Sequence, residues 1–135
     1  MPIYHRFEEL PVWQEAAALY NAVLDLIEHH ARAFSFGFQN QLDRAALSVS
    51  NNIAEGFERA TTKELLNFLA IARGSAGEVR SMMAVIIRRE NLQCLVPELS
   101  HIRTIAESCG RQLTSWSRSI ESSPVQGKRY RSNPS

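Results

Sequence analysis

Apolar residues recur at three- and four-residue steps in four stretches of the chain, and each stretch predicts an amphipathic helix. The first runs from Leu10 to about Ala33 along Trp13, Ala16, Ala17, Tyr20, Val23, Leu24 and Ile27, and Ala33-Phe34-Ser35-Phe36-Gly37 breaks it. The second runs from about Phe38 to Arg59 along Leu42, Ala45, Ala46, Val49, Ile53 and Phe57. Thr61 or Thr62 suits the N-cap of a third helix, with Glu64 placing negative charge in its first turn. That helix is expected to continue to about Glu90 along Leu65, Phe68, Leu69, Ala72, Val79, Met82, Met83 and Ile86. After a short connection from Asn91 to Val96, Pro97 suits the first position of a fourth helix. Its apolar line is Leu99, Ile102, Ile105, Ala106, Cys109, Leu113, Trp116 and Ile120. No segment alternates with the period of a strand. The pattern predicts an all-α fold, an antiparallel up-down-up-down four-helix bundle over residues 1–120. Residues 121–135 hold too few large apolar groups to pack and read as a disordered basic tail.

A second pattern lies along the second helix. Arg44, Ser48, Asn52, Glu55 and Arg59 fall within an arc of roughly 80°, at about 100° per residue. Two readings are open: a solvated helix face, or a hydrogen-bonded network between helices or subunits. Leu47 and Ala54 flank this polar line away from the main apolar stripe, a combination that suits a subunit interface. On the third helix, Gly74-Ser75-Ala76-Gly77 puts four small residues in a row, with Glu78 next. A glycine inside a helix costs about 1 kcal/mol relative to alanine. Close approach of a neighbouring helix is the compensation expected. A phosphate-cradling loop fits poorly, because the flanks stay helical and no strand precedes them.

Charge adds a further asymmetry. The formal net charge is +1, and the tail alone contributes Lys128, Arg129 and Arg131 against Glu121. The folded part is therefore close to neutral, and bulk charge does not argue for nucleic acid. Local charge does more. Lys63, Arg73, Arg80 and Arg88 share an arc of roughly 100° nearly opposite the apolar line of the third helix. Arg103, Arg111 and Arg118 point outward from the fourth, interrupted by Glu107. The first helix region carries Glu8, Glu9, Glu15, Asp25 and Glu28 against Arg6 and Arg32. These seven cations are the candidate nucleic-acid contacts, with ordinary solvation as the competing reading.

Little in the chain points to chemistry. Glu98-Leu99-Ser100-His101 matches one half of the Glu-x-x-His pattern of di-iron bundles, which need two such motifs and further carboxylates. His29 and His30 point to different sides of a helix and more simply end it. No Ser-His-Asp set, paired reactive cysteine or nucleotide loop is present in the sequence, so no catalytic residue, metal or cofactor is expected. Cys94 and Cys109 read as free thiols, which together with an N-terminus lacking a secretory apolar stretch fits a cytoplasmic protein. The longest apolar run, Met82 to Ile87, is too short to span a bilayer.

Several joined motifs carry a family resemblance. They are Phe7-x-x-Leu10-x-Val12-Trp13, Gln41-x-x-Arg44-Ala45-Ala46-x-Ser48, Asn52-Ile53-Ala54-Glu55-Gly56-x-x-Arg59 and Phe68-Leu69-x-Ile71-Ala72-Arg73-Gly74-Ser75-x-x-Glu78. In this order they resemble the bacterial four-helix-bundle proteins encoded within intervening sequences of 23S ribosomal RNA genes. The resemblance implies a ring assembly, commonly a homopentamer, and no established enzymatic activity. It also implies kinship with the accessory protein of diversity-generating retroelements, a pentamer that binds nucleic acid and a reverse transcriptase. Asp43 departs from the pattern, standing beside Arg44 where relatives often carry a second basic residue. The expected function is a non-catalytic oligomeric scaffold or adaptor that binds RNA or a ribonucleoprotein through repeated basic helix faces. The alternative is a purely structural or protein-interaction oligomer without nucleic-acid affinity.

Overall fold

A computed structural model describes residues 3–123, and the basic tail expected beyond them lies outside the described residues. Four helices dominate: α1 (Pro11–His30), α2 (Phe36–Phe57), α3 (Thr62–Ile86) and α4 (Val96–Glu121). Short 3₁₀ turns precede α1 (Phe7–Glu9), follow it (Ala31–Ala33) and join α3 to α4 (Glu90–Leu95).

Local chemistry sets the boundaries. The Ser35 hydroxyl accepts from the Phe38 amide at 3.1 Å, so α2 begins at Phe36, earlier than the apolar pattern alone suggested. The Thr61 hydroxyl accepts from the Glu64 amide at 3.2 Å and starts α3. Pro97 falls at the second position of α4, after Val96. Two helices are shorter than their periodicity implied. α1 ends at His30 and α3 at Ile86. In the second case the chain must turn early to bring Leu92 and Leu95 under the bundle, where both are buried.

The helices form a closed cycle: α1 packs on α2, α2 on α3, α3 on α4, and α4 back on α1. Cross-helix pairs show α2 and α3 running antiparallel, with Gln41 opposite Glu78, Ser48 opposite Ser75 and Arg59 near Glu64, and Arg80 of α3 faces Glu107 of α4. One continuous core fills the centre, with Leu19, Leu42, Ile53, Leu69, Met83, Leu113 and Trp116 all shut off from solvent. Trp13 is only half-buried and tilts against Phe7, ring centroids 5.3 Å apart. Both cysteines are free: Cys94 is exposed and Cys109 buried. Burial first, and the Glu15 carboxylate second, push the Cys109 thiol up to about 12.

One glycine is required by packing. A Cβ on Gly56 would sit 2.9 Å from the Phe68 Cβ and 3.2 Å from Leu65 Cδ1. The end of α2 and the start of α3 can approach this closely only because position 56 has no side chain.

Candidate functional site

The polar line of α2 lies along its seam with α3 and divides into short clusters. Ser48 Oγ and Ser75 Oγ are 2.8 Å apart. Asn52 donates to the Ser48 carbonyl at 2.8 Å and to its hydroxyl at 2.9 Å. At the far end Arg59 donates to Glu55 at 2.8 Å, approaches Glu64 at 3.9 Å and lies over the Phe68 ring, 4.8 Å from its centroid. At the other end Gln41 donates to Glu78. This is an interhelical network within one chain, pinned at three points.

Two of the expected members do not join it. Arg44 is exposed and has no ion pair or hydrogen bond among the described residues. Its arc on α2 matches the others, but the Glu78 carboxylate of α3 is engaged by Gln41, one turn away. Leu47 is half-buried and contributes only apolar surface. Asp43, the departure from the family pattern, has a structural use: it accepts the Tyr20 hydroxyl at 2.6 Å and ties α2 to α1. That bond raises the Tyr20 pKa above its ordinary value.

The small-residue run behaves differently from expectation. Ala76 packs in the core and Ser75 bonds to Ser48, but a Cβ on Gly74 or Gly77 would meet nothing within 4 Å. No neighbouring helix of the same chain approaches either glycine, so the close contact expected there does not occur inside the protomer.

The basic arcs of α3 and α4 come together. Arg73 and Arg80 from α3, with Arg111 and Arg118 from α4, line one groove of about 550 Å³ between the two helices. Within each pair the spacing is seven residues, two helical turns, so both members stay on one edge. The groove has a single carboxylate, Glu107, which sits 3.8 Å from Arg80 across the groove and 3.7 Å from Arg103 one turn away on α4. Arg73, Arg111 and Arg118 have no ion pair among the described residues. Three guanidinium groups are thus available to an anion, and a fourth is held by one carboxylate. Lys63, in the first turn of α3, and Arg88, beyond its end, are exposed and do not line the groove. Arg103 touches it only through Glu107.

This combination of a four-helix cycle, a motif-bearing α2–α3 seam and a cation-lined α3–α4 groove can be set against known proteins. The sequence model described as 23S rRNA-intervening sequence protein matches residues 8–115, most of the chain. The chain belongs to this family. The matched region of the 23S rRNA-intervening sequence protein takes in all of α1, α2 and α3, the seam and most of the groove. No curated protein matches the chain.

Sequence reasoning did not place Gln41, Glu64 or Phe68 in this seam: Gln41 belongs to α2 and reaches Glu78, while Glu64 and Phe68, read only as a first-turn charge and an apolar-line member of α3, meet Arg59. Only the α2–α3 register reveals these contacts. A smaller recess between α1 and α4 is lined by Asp25, His29, His30, Glu98 and His101. His30 Nε2 lies 3.6 Å from Glu98 and His29 shares a hydrogen with the Asp25 carbonyl at 2.8 Å. Among the described residues no three His, Cys, Asp or Glu side chains converge to hold a metal ion. No described helix is long and apolar enough to cross a membrane.

Proposed function

We propose that this 23S rRNA-intervening sequence protein is a non-catalytic scaffold or adaptor that binds RNA, or the RNA of a ribonucleoprotein, in the α3–α4 groove. The observation that carries the reading is the convergence of Arg73, Arg80, Arg111 and Arg118 on one groove. Guanidinium groups deliver paired N–H donors to phosphate oxygens and keep their charge at any physiological pH. The family description supports the choice of RNA over other polyanions. Self-association, which would repeat the groove and raise avidity, is part of the proposal. Its support is a pair of exposed apolar residues two heptads apart on α3, Ile71 at 51% and Val85 at 65% exposed, with Glu78 between them.

The test is a titration of the protein with structured and single-stranded RNA at several salt concentrations, run beside Arg73→Glu/Arg118→Glu. Tight binding that weakens steeply with salt and disappears in the variant is the expected result. Absence of binding at low salt sinks the RNA reading. It would favour the alternative, a structural oligomer acting through the exposed apolar pair of α3, whose mass in solution would still exceed that of one chain.

A further inference from the structure

The groove contains two glycines that the protomer itself does not need. Gly77 on α3 and Gly110 on α4 both line it, and a Cβ on either would meet nothing within 4 Å. Both lie in the interior of long helices, where glycine weakens the helix relative to alanine. Neither sits at a helix end, and the one close helix approach that requires a glycine is at Gly56, elsewhere in the bundle. Gly74, equally open, does not line the groove. The two helix-weakening residues left unexplained within the groove therefore face each other's helix beneath four arginines.

We infer that the groove seats a phosphodiester backbone directly against the helices, with Gly77 and Gly110 supplying the depth that contact needs. This rests on the RNA reading above and deepens it. A backbone lying on the glycines keeps its phosphates within reach of both arginine edges at once, Arg73 and Arg80 on one side, Arg111 and Arg118 on the other. The groove has no aromatic ring for a base to stack on and no Asn or Gln amide to read a base edge. Besides the Glu107 carboxylate, which is paired with Arg80 and Arg103, its remaining polar groups are the hydroxyls of Thr114 and Ser115, which suit phosphate or sugar oxygens. Recognition at this site is consequently indifferent to base identity. The same backbone chemistry is offered by a single strand and by one strand of a duplex.

The experiment measures stability, mass and RNA affinity for Gly77→Ala/Gly110→Ala, for Gly77→Leu alone, and for Arg73→Glu/Arg118→Glu. The ligands are length-matched oligoadenylate, oligouridylate and a duplex. The glycine-to-alanine pair should melt a few degrees higher, because both helices gain propensity without a clash. It should nevertheless bind RNA about tenfold more weakly, with Gly77→Leu weaker still. Oligoadenylate and oligouridylate should bind alike, and comparison with the duplex identifies which source of backbone fits. Unchanged binding in both glycine variants, with loss only in the arginine variant, would overturn this inference and leave the RNA reading intact. A glycine pair that melts lower or changes mass would also overturn it, placing a protein surface on the groove. No binding by the unsubstituted protein would remove both.

Discussion

Arg80 and Glu107 face each other at 3.8 Å across the α3–α4 groove, and the same carboxylate holds Arg103 at 3.7 Å. On the proposed RNA reading, Glu107 competes with a phosphate oxygen for Arg80 at this end of the groove. All three side chains retain contact with water, so the pairs contribute little to stability. Glu107→Gln should therefore leave the melting temperature nearly unchanged while tightening RNA binding by about fivefold, as one like charge is removed from the ligand's path. A salt titration of the two proteins checks this. Weaker binding in the variant would mean that Glu107 serves to orient the arginines.

Gly56 makes the opposite demand to the groove glycines. Gly56→Ala puts a methyl 2.9 Å from the Phe68 Cβ, an atom close to the backbone that cannot swing away. The α2–α3 contact must open, and the expected loss is about 1–3 kcal/mol, larger than the propensity gained. Urea denaturation of the variant measures it, and a more stable protein would show that the two helices slide apart freely.

The serine pair linking α2 and α3 allows a cleaner measurement. Ser48→Ala and Ser75→Ala each remove one end of a 2.8 Å contact, but Ser48→Ala also strips a bond from Asn52. A double-mutant cycle should give a coupling of about 1 kcal/mol, with Ser48→Ala the more costly single change. Arg44→Ala, by contrast, should not alter the stability of the protomer, since Arg44 is exposed without an ion pair among the described residues. A change in sedimentation of Arg44→Ala would then report assembly.

Cys109 predicts both a reactivity and a pH dependence. Its thiol is protonated to about 12 when folded, against 9.0 for an ordinary cysteine. At mildly alkaline pH a thiol reagent should modify Cys94 alone in the native protein and both cysteines after denaturation. The raised value means that the folded state retains a proton which the unfolded state releases. The stabilisation is fully present below pH 9.0 and is lost as pH rises toward about 12. Denaturation curves at neutral pH and within that window should converge for Cys109→Ala, after correction for its cavity. An equal alkaline decline in the variant would assign the loss to other groups.

The bundle was legible because a 3.6-residue apolar period survives in each helix and the breaks between them are chemically marked. Helix ends were less so: Ser35 caps α2 through a hydroxyl that the apolar count ignores, and α3 stops early to bury Leu92 and Leu95. The candidate surfaces were half visible. A helical wheel shows which cations share an edge, but the convergence of Arg73 and Arg80 with Arg111 and Arg118 depends on the register of two helices. The same register leaves Lys63 and Arg88 outside. Likewise, the α2 polar line was apparent from spacing, whereas Ser75, Glu78 and Glu64 became its partners only on folding. Gly110 carried no signal at all, since a lone glycine in an amphipathic helix looks like any tolerated defect.

The position of α1 in the cycle has a kinetic consequence. α1 contains Glu15, Asp25 and Glu28 but no lysine or arginine, and it packs against α2 and α4, placing it across the bundle from α3. On the RNA reading proposed above, a polyanion approaching from the α1 side would meet carboxylates, while one approaching the α3–α4 groove would meet its four arginines. The resulting torque would turn the protein during diffusion so that productive encounters outnumber random ones. Added salt should then slow capture more than it speeds escape.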